Sequence, residues 1–125
     1  MKALLLARVS SKDQEENNSI PSQLRRLQDY ASRNGFDDTE PFKLVESSTK
    51  STRKEFSKIV EKINHSSQKV ALICDTVDRL QRSFKESVLL DELRKDGKVE
   101  LHFVREALVI NDGSNSADIL RWDMG

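Results

Sequence analysis

The sequence predicts an α/β domain: an open, mainly parallel sheet with helices on both faces. Three observations carry this. Two short runs, Ala3–Ala7 and Val70–Cys74, are apolar throughout, as in strands buried on both sides. Between and after them lie stretches with helical apolar spacing. The two kinds of segment alternate along the chain as β-α-β-α-β-α-β, the order of a parallel sheet with crossover helices.

Each element has its own local reason. The first strand is Ala3–Ala7, followed by a polar loop from Arg8 to Asp13. A helix is expected to start near Ser19, with Pro21 in the first turn, where a missing N–H costs nothing. Ile20, Leu24, Leu27 and Ala31 share one face of it, and Gly35 is a good stop. Phe42–Val45 reads as a short second strand near an edge, because Lys43 interrupts its apolar residues. After a Ser/Thr-rich loop from Glu46 to Thr52, Arg53 opens a second helix with a stripe of Phe56, Ile59, Val60 and Ile63. Val70–Cys74 is the second central strand. A third helix runs from about Ser83 to Asp96 and stops at Gly97. Its Phe84, Val88, Leu89, Leu90 and Leu93 wrap more than half of it, enough to bury a second face against a partner. Val99, Leu101 and Phe103 alternate as a half-buried fourth strand, and Ala107–Ile110 is a candidate fifth at the edge. Asn111-Asp112-Gly113 is a turn, and Ser116 is placed to cap a last helix carrying Ile119, Leu120 and Trp122. The two most apolar strands, the first and third, are expected to be central and adjacent.

Length and composition bound the function. With 125 residues the chain reads as one domain, large enough to bury a core without staples. Its 21 Lys+Arg and 21 Asp+Glu cancel, which excludes a basic nucleic-acid-coating protein and an acidic tail. One cysteine, Cys74, excludes an internal disulfide, and no thiol or histidine cluster has zinc-site spacing. No apolar run reaches the ~20 residues of a membrane span. The opening run is too short for a signal peptide, so the expectation is a cytoplasmic protein with no membrane partner.

In an open parallel sheet, sites form beyond the carboxyl ends of strands where the strand order reverses. Here those ends carry Arg8, Ser10 and Ser11 after strand one, and Asp75, Asp78, Arg79 and Arg82 after strand three. The loop after strand two adds Ser47, Ser48 and Arg53. Serines and arginines brought together suit phosphoryl transfer: a hydroxyl attacks, and guanidinium groups neutralise the phosphodiester charge as a metal does elsewhere. A plainer reading stands beside this one, in which the serines end a strand and the arginines are solvated charges. His65 and His102 each stand alone and fit structural or surface roles. Cys74 fits a small buried hydrophobe, and Asp13, Glu15 and Glu16 a solvated charge run.

Three blocks of residues then resemble one family. Ala7-Arg8-Val9-Ser10-Ser11, with Gln14 and Ser19-Ile20-Pro21-Ser22-Gln23, is similar to the opening of the serine site-specific recombinases: resolvases, invertases and large serine integrases. Glu46-Ser47-Ser48 followed by Arg53 resembles the family's acidic-Ser-small stretch and its arginine. Val77-Asp78-Arg79-Leu80-Gln81-Arg82-Ser83 resembles its Asp-Arg-Leu-Gly-Arg-Ser motif, with Gln81 where glycine is usual. The order and spacing of the blocks also fit.

The resemblance implies that residues 1–125 are the catalytic domain of a DNA recombinase, with four main strands in the order 2-1-3-4. Ser10 would attack the scissile phosphate and become joined to the 5′ phosphate. Arg8, Arg53, Arg79 and Arg82 would bind that phosphate, and Asp78 would orient arginines or assist proton transfer. Gln14, Gln23 and Ser47 would be secondary site residues. It further implies no cofactor, no metal for cleavage, and a dimer or tetramer of the full-length protein acting on DNA in recombination, including integration. Most of the family's long helix and its DNA-binding domain are expected to be missing, and zero net charge agrees with weak DNA affinity for this piece alone. Two other readings remain: a catalytically silent relative that only oligomerises, and a receiver-type signalling domain using Asp75 as phosphoacceptor. The receiver needs an acidic pair after strand one, where this chain has Arg8-Val9-Ser10.

Overall fold

The structure is a computed structural model that describes residues 1–9, 19–45, 49–76 and 84–113, with the backbone alone at 9, 45, 49–53 and 84–87. In chain order the elements are β1 (Lys2–Val9), α1 (Ile20–Arg33), β2 (Asp38–Val45), α2 (Thr49–His65), β3 (Val70–Cys74), α3 (Phe84–Lys95), β4 (Val99–Phe103) and β5 (Leu108–Ile110). They form one sheet of order β2-β1-β3-β4-β5. The first four strands are parallel, and β5 returns antiparallel to β4, from Leu101↔Ile110 to Phe103↔Leu108. The expected order and edge strand are therefore those observed. The expected helix from Ser116 lies outside the described residues.

Strand alternation divides the core in two. Leu4 and Leu6 of β1 and Leu72 and Cys74 of β3 point to the face covered by α2 (Phe56, Ile59, Ile63) and α3 (Leu90, Leu93). Ala3, Leu5, Ala71 and Ile73 point to the other face, where α1 packs Leu27 and Ala31. The small side chains on that side leave room for a helix backbone to lie close to the sheet. Ser19 caps α1, its hydroxyl accepting from the Ser22 N–H at 3.3 Å. Gly35, at φ +78°, closes the helix, and the Phe36 N–H bonds the Ala31 carbonyl at 2.9 Å.

Four expectations change. Arg8 and Val9 belong to β1 rather than to a loop, because β2 keeps pairing with them through Arg8↔Leu44 and Val9↔Val45. β2 begins at Asp38, not Phe42. Its first half has no apolar pattern because its outer edge is unpaired, and Pro41, lacking an N–H, is tolerated on an edge. α2 begins at Thr49, ahead of Arg53. β4 is more than half-buried, since His102 on its α1 side is buried too. On α3, Leu90 and Leu93 are buried and Leu89 is partly buried against the core, while Val88 is 41% exposed. Among the described residues of the wide apolar wrap, Val88 faces outwards.

Glu40 ties three elements together through Lys2 of β1 at 3.3 Å and Lys62 of α2 at 3.2 Å. Burial alone would raise its carboxyl, but hydrogen bonds and charge from the two lysines outweigh that and hold it below 4.5. A depressed carboxylate contributes stability above its unfolded value, and that stability is lost as pH falls through the folded value. Glu40→Gln should therefore lower stability at neutral pH by about 0.2–1 kcal/mol, the range of exposed ion pairs. Urea unfolding near pH 3 should show the difference shrinking; a difference that grows on acidification would contradict the assignment.

Candidate active site at the carboxyl ends of β1 and β3

The chain leaves β1 to one side, through α1 to β2, and crosses back through α2 to β3 on the other side. The reversal point lies between β1 and β3, which are direct neighbours from Ala3↔Ala71 to Leu6↔Cys74. β1 runs on past the end of this pairing, so Arg8 projects beyond the last paired residue of β3.

Arg8 is 3% exposed. By alternation it shares the side of β1 used by Leu4 and Leu6, the α2 and α3 face. Its charge is felt at the end of β3. Burial pushes the Cys74 thiol well above its ordinary range, the Asp75 carboxylate adds to that, and the Arg8 guanidinium partly opposes it. Cys74 is thus the inert buried hydrophobe the sequence suggests.

Past Leu6, no strand is left to satisfy Arg8's main chain on the β3 side. Gln23, fully buried in the first turns of α1, takes that place. Its amide nitrogen donates to the Arg8 carbonyl at 3.0 Å, and its amide oxygen accepts from the Arg8 N–H at 3.1 Å. One side chain stands in for one more peptide unit of sheet. The sequence marks Gln23 only as a polar residue among Ile20, Leu24, Leu27 and Ala31, and not what it binds.

Asp75, the residue after β3, is 1% exposed. Arg26 of α1 holds it as a fork, with Nε 3.3 Å from Oδ1 and Nη2 2.9 Å from Oδ2. Arg105, from the β4–β5 turn, adds Nε at 3.1 Å from Oδ2, and its N–H donates to the Asp75 carbonyl at 3.0 Å. Neither Arg26 nor Arg105 stands out in the sequence, because their partner is distant along the chain. With both carboxylate oxygens engaged by guanidinium groups, Asp75 is placed as an anchor, which does not favour the receiver reading.

His102 is a structural residue. Its Nδ1 lies 2.6 Å from the Tyr30 hydroxyl and its Nε2 2.9 Å from Glu100 Oε1. Tyr30 and Phe36 meet its ring edge-on. With Nε2 donating to the carboxylate, Nδ1 is the acceptor for the phenol. Burial, and then the Glu100 charge, raise the Tyr30 hydroxyl above 10.0. His65 lies exposed in the last turn of α2.

Of the expected site residues, Arg8 and Gln23 are brought together. Arg53 lies in α2, which follows the carboxyl end of β2, and only its backbone is described. Ser10, Gln14, Ser47, Asp78, Arg79 and Arg82 lie outside the described residues, as do Asp13, Glu15 and Glu16. The segments holding Ser10 and Arg79 leave from the neighbouring ends of β1 and β3. Among the described residues no helix is long and apolar enough to cross a membrane.

Comparison with known proteins agrees with this geometry. No curated protein matches the chain. Among solved structures, the N-terminal catalytic domain of TP901-1 integrase is 20% identical, with a TM-score of 0.69 over 99% of this chain and 90% of that one. A resolvase family site-specific recombinase from Streptococcus pneumoniae is also 20% identical, with a TM-score of 0.73 over 99% and 84%. The C-terminal catalytic domain of ISC1926 TnpA, an IS607-like serine recombinase, is 25% identical, with a TM-score of 0.63 over 99% and 78%. The family described as "Resolvase, N terminal domain" matches residues 3–121. The chain belongs to the resolvase family, with the fold of a serine recombinase catalytic domain.

Proposed function

We propose that this domain cuts and rejoins DNA at specific sites through a covalent serine intermediate. The observation that supports it most is the buried Arg8, locked by Gln23 at the point where β1 outruns β3. If strand alternation persists, Ser10 shares the Arg8 side of the chain and Ser11 points away. Ser10 Oγ attacks the phosphorus as its proton leaves, the P–O3′ bond breaks, and the 3′ oxygen departs as a hydroxyl. The 5′ phosphate stays on the serine, so the bond energy is kept and religation needs no ATP. Arg8, Arg53, Arg79 and Arg82 neutralise the charge that spreads over the phosphate oxygens. Asp78 orients arginines or assists the proton transfer, while Gln14, Gln23 and Ser47 support the site. Strand exchange takes place in a dimer or tetramer of the full-length protein on DNA. Resolution, inversion and integration all use this chemistry.

The test is to trap the adduct on DNA carrying the recombination site and map it by mass spectrometry. The adduct should lie on the Ser10 peptide and persist in EDTA. Arg79→Lys keeps charge but loses the bidentate fork, and should slow adduct formation by about 100-fold or more. An adduct that vanishes with EDTA, or maps elsewhere, would overturn the mechanism.

A further inference from the structure

Gln23 and Arg26 are three residues apart on α1, so both lie on one helical turn and reach the same end of the sheet. Gln23 holds both main-chain groups of Arg8 on β1. Arg26 holds Asp75 at the end of β3. The two chain segments that carry Ser10 and Arg79 thus depart from roots fastened to one rigid turn. Arg105 fastens the second root from the β4–β5 turn, through its guanidinium and its N–H, and the Val104 N–H bonds the Cys74 carbonyl at 3.0 Å.

We propose that Asp75, gripped by Arg26 and Arg105, is a positioning residue for strand cleavage. It fixes the end of β3, from which the chain runs on to Asp78, Arg79 and Arg82, relative to Arg8 on β1. The proposal rests on the cleavage reading above. A buried ion pair adds little net stability over an apolar replacement of the same shape. What a fork between a carboxylate and a guanidinium adds is a defined geometry. Asp75 lies three residues before Asp78, within about 10 Å of chain. A shift of ~1 Å in reacting groups costs about 100-fold in rate.

The test uses the full chain on plasmid DNA carrying its recombination site. Asp75→Asn keeps the shape and removes the charge, and Arg26→Gln removes the fork from the half-exposed side. Tyr30→Phe is the control: it weakens the same helix's grip on β4 and leaves Asp75 untouched. Asp75→Asn and Arg26→Gln should slow Ser10 adduct formation at saturating DNA by about 10- to 100-fold with the half-saturating DNA concentration unchanged. Amide exchange should quicken at Arg105, whose N–H bonds the Asp75 carbonyl, while Leu4–Leu6 and Ala71–Ile73 stay protected. Arg26→Lys, a charge without a fork, should fall between. Tyr30→Phe should lower the melting temperature and leave the adduct rate alone. Wild-type adduct rates in both test variants, or losses that merely track melting temperature across all the variants, would overturn the positioning role while the cleavage reading stands. Absence of a Ser10 adduct in the wild-type chain would overturn the cleavage reading and the positioning role together.

Discussion

Replacing Ser10 by alanine should abolish the covalent protein–DNA adduct while leaving folding and DNA binding nearly intact, because only one hydroxyl is lost. Ser11→Ala should keep the adduct. The contrast follows from strand geometry: β1 extends to Val9, its side chains alternate, and residues 10 and 11 leave it on opposite sides if the alternation persists. In that case only one of the two can face the arginines of the proposed site. Loss of the activated nucleophile removes the chemical step itself, so the effect on adduct yield should be all or none. Denaturing electrophoresis of the full-length protein on its DNA site, with binding measured in parallel, separates chemistry from affinity. An undiminished adduct in Ser10→Ala would refute the assignment of the nucleophile.

Gln23→Leu should be among the most destabilising single changes at a polar residue. Leucine nearly matches the volume of glutamine, so little cavity forms. The damage is to Arg8, whose N–H and carbonyl both lose their bonds to Gln23 in a buried setting. Each such loss costs about 1–3 kcal/mol, so the pair should cost about 2–6 kcal/mol. Adduct formation should fall as well, because Arg8 loses its support. Gln23→Glu should not rescue, since a carboxylate accepts from the N–H but cannot donate to the carbonyl. Urea unfolding followed by circular dichroism measures the loss. A change below about 0.5 kcal/mol would mean that something other than Gln23 satisfies the Arg8 backbone.

Much of this site is legible in the amino-acid sequence alone. Arg8 stands out because a charge follows directly on an apolar strand, and Gln23 because it belongs to a block shared with a family. The role of Gln23 is not legible there. Nothing local says that an amide on a helix will complete a sheet. That depends on β1 being longer than its pairing with β3, and strand overlap is a tertiary quantity. Asp75 shows the same limit. In isolation, a carboxylate after a central strand suits a phosphoacceptor. Its partners, 49 residues before it and 30 after it, make it an anchor.

The sequence by itself determined the α/β class, the two central strands and the stripes of α1 and α2. These follow from the period of apolar residues and from the short, right-handed connections that parallel strands require. Only the tertiary structure decided where β2 begins, because an edge strand gains its backbone bonds from β1 and needs no apolar pattern of its own. It alone decided that Arg8 is strand rather than loop, that His102 is buried between Tyr30 and Glu100, and that one turn of α1 holds the ends of both β1 and β3. The physical reason is common to all of them. A buried polar group must find a partner, and that partner is supplied by whatever element the packing brings beside it.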